Sequence, residues 1–309
     1  MLVKKLEVPI EIRALKTANV YFIDNNNDKF IFDTGMSKNS YEYIKSDINI
    51  SDLDYIIISH LHIDHLGGAM YFNEINDIPV YISKNDYNYI KNFIVNNGSY
   101  FDSYRDLLRI NGVPELLTNI MFEAHPLIKF INYYNELNIK VLDFTPDNLE
   151  VIDVPGHSPG SIVLYSESDK SLFSGDHILN KITPNISVYS RDEDYLGLYI
   201  DSLKKIKNLD VKTVYPGHGD IFHNYRERIN AILEHHNNRI NSMLKILNSW
   251  KSAYEVASEI EWSKGRKMET MNYMEKNFAV METITHLIYM HNKNLIRMAD
   301  DNNIIKYMI

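Results

Sequence analysis

Cysteine is absent from the 309-residue chain. That excludes disulfides, thiolate metal sites and a cysteine nucleophile, so any bound metal must be held by His, Asp or Glu. Long apolar runs are absent as well: Asn, Asp and Lys interrupt each one before the roughly 18–20 residues that a membrane-spanning helix needs. Met1 to Glu11 carries Lys4, Lys5 and Glu7 and lacks the continuous apolar stretch of a signal peptide. An unexported, cytoplasmic protein with no membrane partner is therefore expected. Net positive charge is missing too. At a formal -9 the chain has no overall basic field for gathering nucleic acid or anionic lipid, which disfavours generic nucleic-acid binding.

What is present describes a globular protein: 45% hydrophobic and 24% charged residues, in a length that suits one large domain and one small one. Short strands are predicted at Leu2–Pro9, Asn19–Asp24 and Lys29–Asp33, the last two separated by the turn-forming Asn25-Asn26-Asn27-Asp28. Leu53–Ser59 is an Ile-rich run typical of a strand buried on both faces, and a His-rich segment ending in Gly67-Gly68 follows it. After a strand at Val80–Ser83, residues from Asp86 to about Asn138 take on helical spacing with many aromatics, which reads as a helical insertion. Strand signals return at Lys140–Phe144, Glu150–Val154, Ser161–Tyr165, Ser171–Ser174 and Thr213–Tyr215, with a helix near Asp194–Lys207. This is an α/β domain. From about Asn224 the pattern is almost wholly helical until Asn294–Met298 and Ile304–Met308 flank a turn at Ala299–Asn303; three helices and a hairpin suggest a winged-helix-like module. The expected domains are residues 1–222 and 223–309.

The segment His60-Leu61-His62-Ile63-Asp64-His65 packs three imidazoles and a carboxylate into six residues. Such crowding is unfavourable unless a cation gathers the donors. Further candidate ligands recur at the ends of predicted strands: His157 in Pro155-Gly156-His157-Ser158, Asp176 after Gly175, and His218 in Pro216-Gly217-His218-Gly219. The flanking glycines and prolines let each backbone turn sharply toward a common edge.

These motifs, in this order, resemble those of the metallo-β-lactamase superfamily, whose HxHxDH signature is complete here; the resemblance covers roughly residues 1–222. It implies an αββα sandwich. It also implies two metal ions, the first held by His60, His62 and His157, the second by Asp64, His65 and His218, with Asp176 bridging both. Asp33 in Phe32-Asp33-Thr34-Gly35 matches the family's first motif and would orient ligands by hydrogen bonds. Two adjacent cations would generate a bridging hydroxide near neutral pH, with Asp64 helping to orient it and Asp176 holding both ions. All-N/O ligation suits two zinc ions, while iron and manganese accept the same donors. Relatives that use iron for redox work replace the second and fourth cluster ligands; His62 and His65 are retained here, which favours hydrolysis. The tail, Phe222 to Ile309, resembles the helical, winged-helix-like tail of one branch of the superfamily, carried by the helix with Arg239, the Ser252–Ala257 segment and the Glu282–Leu287 stretch.

The expected function is thus hydrolysis of a small ester, thioester or lactone; a single-stranded RNA nuclease and a mononuclear iron dioxygenase are the alternatives within the same superfamily. A DNA-binding regulator is a reading of another class, resting on Lys264, Arg266 and Lys267, but Glu255, Glu259, Glu261 and Glu269 lie close by and make a solvated charged face the better one. The apolar content of the tail fits packing against the catalytic domain or a second subunit, as in a homodimer. His177 is expected to point away from the metals, and His125 and His223 to be structural or surface residues. The aromatics of the insertion fit either a roof over the site or the core face of a helix.

Overall fold

The computed structural model describes residues 1–12, 15–25, 27–95, 99–262 and 265–309, and the side chains at 93, 99–101, 126–129 and 133 lie outside that description. Strands β1 (Leu2–Pro9), β2 (Thr17–Asp24) and β3 (Lys29–Phe32) form an antiparallel meander. From β3 onward the sheet is parallel, running through β4 (Tyr55–Ile58), β5 (Val80–Ile82) and β6 (Ile139–Val141). Helices α1 (Lys38–Asp47), α2 (Ile63–Leu66) and α3 (Ala69–Asn76) provide the crossovers between β3, β4 and β5.

Successive strand residues face opposite sides of a sheet, and here both sides are buried. Ile31, Ile56 and Ile58 join Tyr41 and Ile44 of α1 and Phe72 of α3 in one core. Phe30, Phe32, Tyr55 and Ile57 turn the other way and meet Ile162, Leu164 and Phe173 of a second sheet. That sheet comprises β7 (Glu150–Asp153), β8 (Ile162–Ser166), β9 (Ser171–Gly175) and β10 (Thr213–Pro216), in the order β10-β9-β8-β7. Its outer face is covered by α8 (Tyr195–Ile206) and by the first half of α9 (Tyr225–Leu244), through Leu196, Tyr199, Leu203, Ile229 and Ile232. The result is the expected αββα sandwich. At about 1.5–3 kcal/mol for each fully buried large apolar side chain, these three stacked cores are the main force that sets the sheet edges in register.

The insertion is helical, with α4 (Lys84–Tyr89), a π-helical stretch (Ile90–Val95), α5 (Ser99–Ile110), α6 (Glu115–Glu123) and α7 (Pro126–Glu136). Its described aromatics pack mainly into cores: Tyr87, Tyr89, Phe130 and Tyr134 lie with the first sheet's helical face, and Tyr104 and Phe122 lie with the C-terminal region. Phe93, Tyr100, Phe101 and Tyr133 are outside the described side chains.

The C-terminal region contains the rest of α9, β11 (Lys251–Ser252), α10 (Ala253–Glu259), α11 (Tyr273–Asn292) and the hairpin β12 (Arg297–Asp301) and β13 (Ile304–Met308). Capping boxes Ser252/Glu255 and Asn272/Glu275 start α10 and α11. The first hairpin strand runs later than the sequence pattern indicates, because Asn302 and Asn303 alone make the turn at φ 55° and 64°, so Ala299, Asp300 and Asp301 are paired strand residues. Met243, Leu247, Val256, Leu287 and Tyr307 share one core with Tyr104, Leu107, Leu108 and Met121 of the insertion. Helix α9 therefore spans two cores, with Ile240 and Met243 in this one. Of the basic cluster, Arg266 pairs with Glu275 (2.8 Å) and Lys267 donates to the Glu259 carbonyl (2.8 Å); Lys264 lies outside the described residues. Among the described residues no helix is long and apolar enough to cross a membrane.

Candidate metal centre

Strands β3, β4, β7, β9 and β10 bring their carboxyl ends to one edge of the sandwich, and a residue of the expected site follows each of them. Asp33 leaves β3, His60 and His62 leave β4, His157 follows β7, Asp176 follows β9 and His218 follows β10. Asp64 and His65 are not on a loop; they lie in the single turn of α2, which aims both at the same point. The donor atoms fall into three groups, each within 4.8 Å: His60/His62/His157, His60/His65/Asp176 and Asp64/His65/His218. Asp176 Oδ2 lies 3.7 Å from His157 Nε2 and 3.5 Å from His218 Nε2, and so stands between the first group and the third. Gly217 is required for this approach, since a Cβ there would sit 2.4 Å from Asp176 Oδ1 and 2.7 Å from the His65 ring.

Every one of the five histidines has one ring nitrogen anchored outward. His60 Nδ1 meets Ser59 Oγ (2.9 Å), His62 Nε2 meets the Tyr189 hydroxyl (2.6 Å) and His65 Nδ1 meets Asp33 Oδ2 (2.8 Å). His157 Nδ1 donates to the Asn185 carbonyl (3.0 Å) and His218 Nδ1 to the Thr17 carbonyl (2.8 Å). The remaining nitrogens converge: His60 Nε2 is 3.0 Å from His62 Nδ1, and His65 Nε2 is 3.2 Å from His218 Nε2. Anchoring one nitrogen leaves the other free as a ligand, which is how metal-binding imidazoles are oriented. Asp33 is a buried anchor with three donors. It accepts from Ser59 N–H (2.7 Å), the Ser59 hydroxyl (2.9 Å) and His65, and reaches all three from a left-handed backbone at φ 69° that a non-glycine residue rarely adopts.

The electrostatics divide the donors. Burial drives His60 well below its ordinary value and His62 down to about 3, and it lowers His157 as well. For His65 and His218 burial acts in the same direction, but Asp176 and its neighbouring carboxylates outweigh it and raise both. Burial would raise the two acids; the histidines around them instead hold Asp64 at about 2 and Asp176 well below the usual carboxylate range. The carboxylates thus stand ionised and His60, His62 and His157 neutral, while the acids hold His65 and His218 toward the protonated form, a proton that a cation in the same field would replace. His157 Nε2 and Asp176 Oδ1 are buried without any hydrogen-bond partner, each at a cost of about 1–3 kcal/mol that a bound cation would offset. The residues present therefore fit a metal centre.

Several supporting residues carry no motif. Asp86 is fully buried; it accepts from Leu61 N–H (2.8 Å), Gly160 N–H (2.6 Å) and the Ser158 hydroxyl (2.8 Å), and so ties the His60/His62 loop to the His157 loop. Burial pushes its carboxyl up to about 7 against these three donors. Its sequence signal, Ser83-Lys84-Asn85-Asp86, reads only as a helix cap, which it also is (Asp86 N–H to Ser83 Oγ, 3.3 Å). Tyr189 and Asn185 lie in an irregular stretch whose pattern announces nothing. Of the histidines set aside, His177 is buried edge-on to Tyr199 and falls outside the three donor groups, His125 packs edge-on against Tyr104, and His223 is exposed and bound to the Lys212 carbonyl.

A two-sheet sandwich whose strand ends gather histidines and aspartates with donor atoms within 4.8 Å of one another is a metalloprotein architecture. The family model described as "Metallo-beta-lactamase superfamily" matches residues 14–218, and the chain belongs to that superfamily. It is 28% identical over 243 residues to the beta-lactamase-like protein 2 homolog of Caenorhabditis elegans, covering 76% of this chain and 66% of that one, so it spans just under two thirds of that relative's length. It is 21% identical to the atrochrysone carboxyl ACP thioesterase of Aspergillus fumigatus, over 75% of this chain and 60% of that one. A solved metallo-beta-lactamase family protein of Thermus thermophilus superposes with a TM-score of 0.80 at 22% identity, covering 99% of this chain and 98% of that one. That likeness extends the shared fold through the insertion and the C-terminal region.

Proposed function

We propose that this chain is a two-metal hydrolase, with zinc as the metal, acting on the acyl bond of a small ester, thioester or lactone. The observation that carries the reading is the position of Asp176, one carboxylate oxygen of which faces both His157 and His218. In this reading His60, His62 and His157 hold one ion, Asp64, His65 and His218 hold the other, and Asp176 is shared. Bound there, two divalent cations supply an acidified water and a Lewis acid for the carbonyl. The chain's own part is to keep the carboxylates ionised and all the donors immobile. Asp33 fixes His65, Ser59 fixes His60, and Asp86 locks the two ligand loops together, so that little rearrangement is left for the reaction to require. Asp64 faces His218 at 3.3 Å and stays ionised, suited both to ligation and to orienting a nucleophilic water.

The thioester is the favoured member of the set, supported by the activity for which the fungal relative is named. The formal net charge of -9 gives no overall basic field to gather a polyanion, which supports a small substrate over RNA. We read the tail as a winged-helix-like module, residues 223–309, that braces the catalytic domain.

Metal content per chain, measured on protein purified without added metal, tests the reading together with a panel of p-nitrophenyl esters, thioesters, lactones and labelled single-stranded RNA. About two zinc ions and chelator-sensitive acyl hydrolysis are expected. A single iron without hydrolysis would replace this reading with the dioxygenase one, and cleavage of RNA alone would replace it with the nuclease.

A further inference from the structure

Residues 185–189 touch two histidines of the same donor group and are held in turn by the C-terminal region. The Asn185 carbonyl accepts from His157 Nδ1. The Tyr189 hydroxyl has one proton, and it donates that proton to the His157 carbonyl at 2.9 Å. Toward His62 Nε2, at 2.6 Å, it must then be the acceptor, which places the imidazole proton on Nε2 and leaves Nδ1 free to bind a cation. One short segment thus sets the ring orientation of His157 and the tautomer of His62, and links the two.

Helix α11 grips the back of this segment. The Thr285 hydroxyl donates to the Ile186 carbonyl (3.0 Å) while also lying 2.8 Å from the Met281 carbonyl. Asn185 Nδ2 reaches the Glu282 carboxylate (3.3 Å) and the Phe278 carbonyl (3.5 Å). Glu282 is itself held by Arg239 Nε (3.1 Å), whose guanidinium lies over the Trp262 ring at 4.3 Å. Val188 packs into the core shared by the tail and the insertion. By contrast, the anchors of the other histidines, Ser59, Asp33 and Thr17, all come from the first sheet or the turns that lead off it.

We infer that residues 185–189 are a clamp for the His60/His62/His157 group and that the C-terminal region holds the clamp closed, making Tyr189, Glu282 and Thr285 positioning residues for one of the two ions. The inference rests on the two-metal reading above. Outer partners of metal-bound histidines typically govern metal affinity by about 10- to 100-fold, and the structure confines that leverage to one group.

The test is zinc affinity, read by chelator competition on the full chain in two backgrounds. His218→Ala removes a donor of the other group and leaves the clamped one; His157→Ala does the reverse. In the first background, Tyr189→Phe, Glu282→Gln and Thr285→Val should each weaken zinc binding by about 10- to 100-fold, and Thr285→Ser, which keeps the hydroxyl, should restore it. In the second, the same variants should stay within about twofold, as expected for uncoupled sites. Lys306→Ala, which breaks only a tail ion pair with Asp301, should leave zinc affinity unchanged in both backgrounds. The clamp is overturned if the variants lower the melting temperature without changing affinity in the His218→Ala background, or if both backgrounds weaken alike. A wild-type chain that binds one zinc overturns the two-metal reading instead, and the clamp is then scored on that single ion.

Discussion

Two groups of buried histidines lie in this molecule, and their difference shows what separates a ligand from a core residue. At the sandwich edge five imidazoles each have one nitrogen tied outward and the other turned inward among donors that include Asp64 and Asp176. Between α9 and α11, His236 and His286 also face each other, with His236 Nδ1 3.1 Å from His286 Nε2 and His286 Nδ1 donating to the Glu282 carbonyl (2.7 Å). Among the described residues no carboxylate is bonded to this second pair, and Glu282 is occupied by Arg239 and Asn185. Burial therefore wins, opposed at His286 only by the bond to the Glu282 carbonyl. It lowers His286 to about 4, and with the neighbouring imidazoles it holds His236 well below its ordinary value. Burial by itself makes a neutral core histidine; only burial together with converging carboxylates and outward anchors makes a cation site.

The largest effect that would break this comparison is at the shared acid. Asp176→Ala should remove bound metal and lower acyl hydrolysis on the order of 10³-fold, the several kcal/mol that metal assistance contributes. Retention of two ions by that variant, measured by elemental analysis, would remove Asp176 from both groups. Next comes Asp86→Ala, which strands two backbone N–H groups and a hydroxyl. It should cost about 3 kcal/mol or more in chemical denaturation and should weaken zinc binding, because both ligand loops lose their common tether. His236→Phe, at the other cluster, should shift stability by about 1–3 kcal/mol and leave metal content as it was. Loss of metal there would make the two clusters one system.

The smallest effect sharpens the contrast through pH. A histidine kept neutral by the fold binds its proton later, as pH falls, than the same residue in the unfolded chain. His286 adds no pH dependence above the ordinary value of 6.5, and it destabilises the fold progressively from there down to about 4. Urea midpoints between those limits should fall with decreasing pH, and His286→Gln should flatten the slope by about one proton. An unchanged slope would mean that His286 titrates normally in the folded chain.

Much of this molecule is legible in its sequence. The run Leu53–Ser59 reads as a doubly buried strand, and Ile56 and Ile58 do face one core while Tyr55 and Ile57 face another. His60, His62, Asp64, His65, His157, Asp176 and His218 announce themselves by crowding and by the glycines beside them, and all seven come together at one edge. The hairpin is misplaced by a few residues because strand character in Arg297–Asp301 comes from pairing with β13 and hardly at all from composition. Asp86 hides behind its helix-cap pattern, and Tyr189 and Asn185 carry no pattern at all. Tyrosines and asparagines are common, and nothing local marks the ones whose hydroxyl or carbonyl will face an imidazole.

The sequence by itself determined the layers and the donor set, because alternation of apolar residues and clustering of ligands are local properties with a direct physical reading. Only the tertiary structure decided which nitrogen of each histidine faces inward, which acid stands between the two groups, and that the C-terminal region reaches the site through Thr285, Glu282 and residues 185–189. Those are hydrogen bonds between residues as much as 201 positions apart. Their distances of 2.6–3.5 Å are set by how four separate cores pack, and no short window of sequence contains that information.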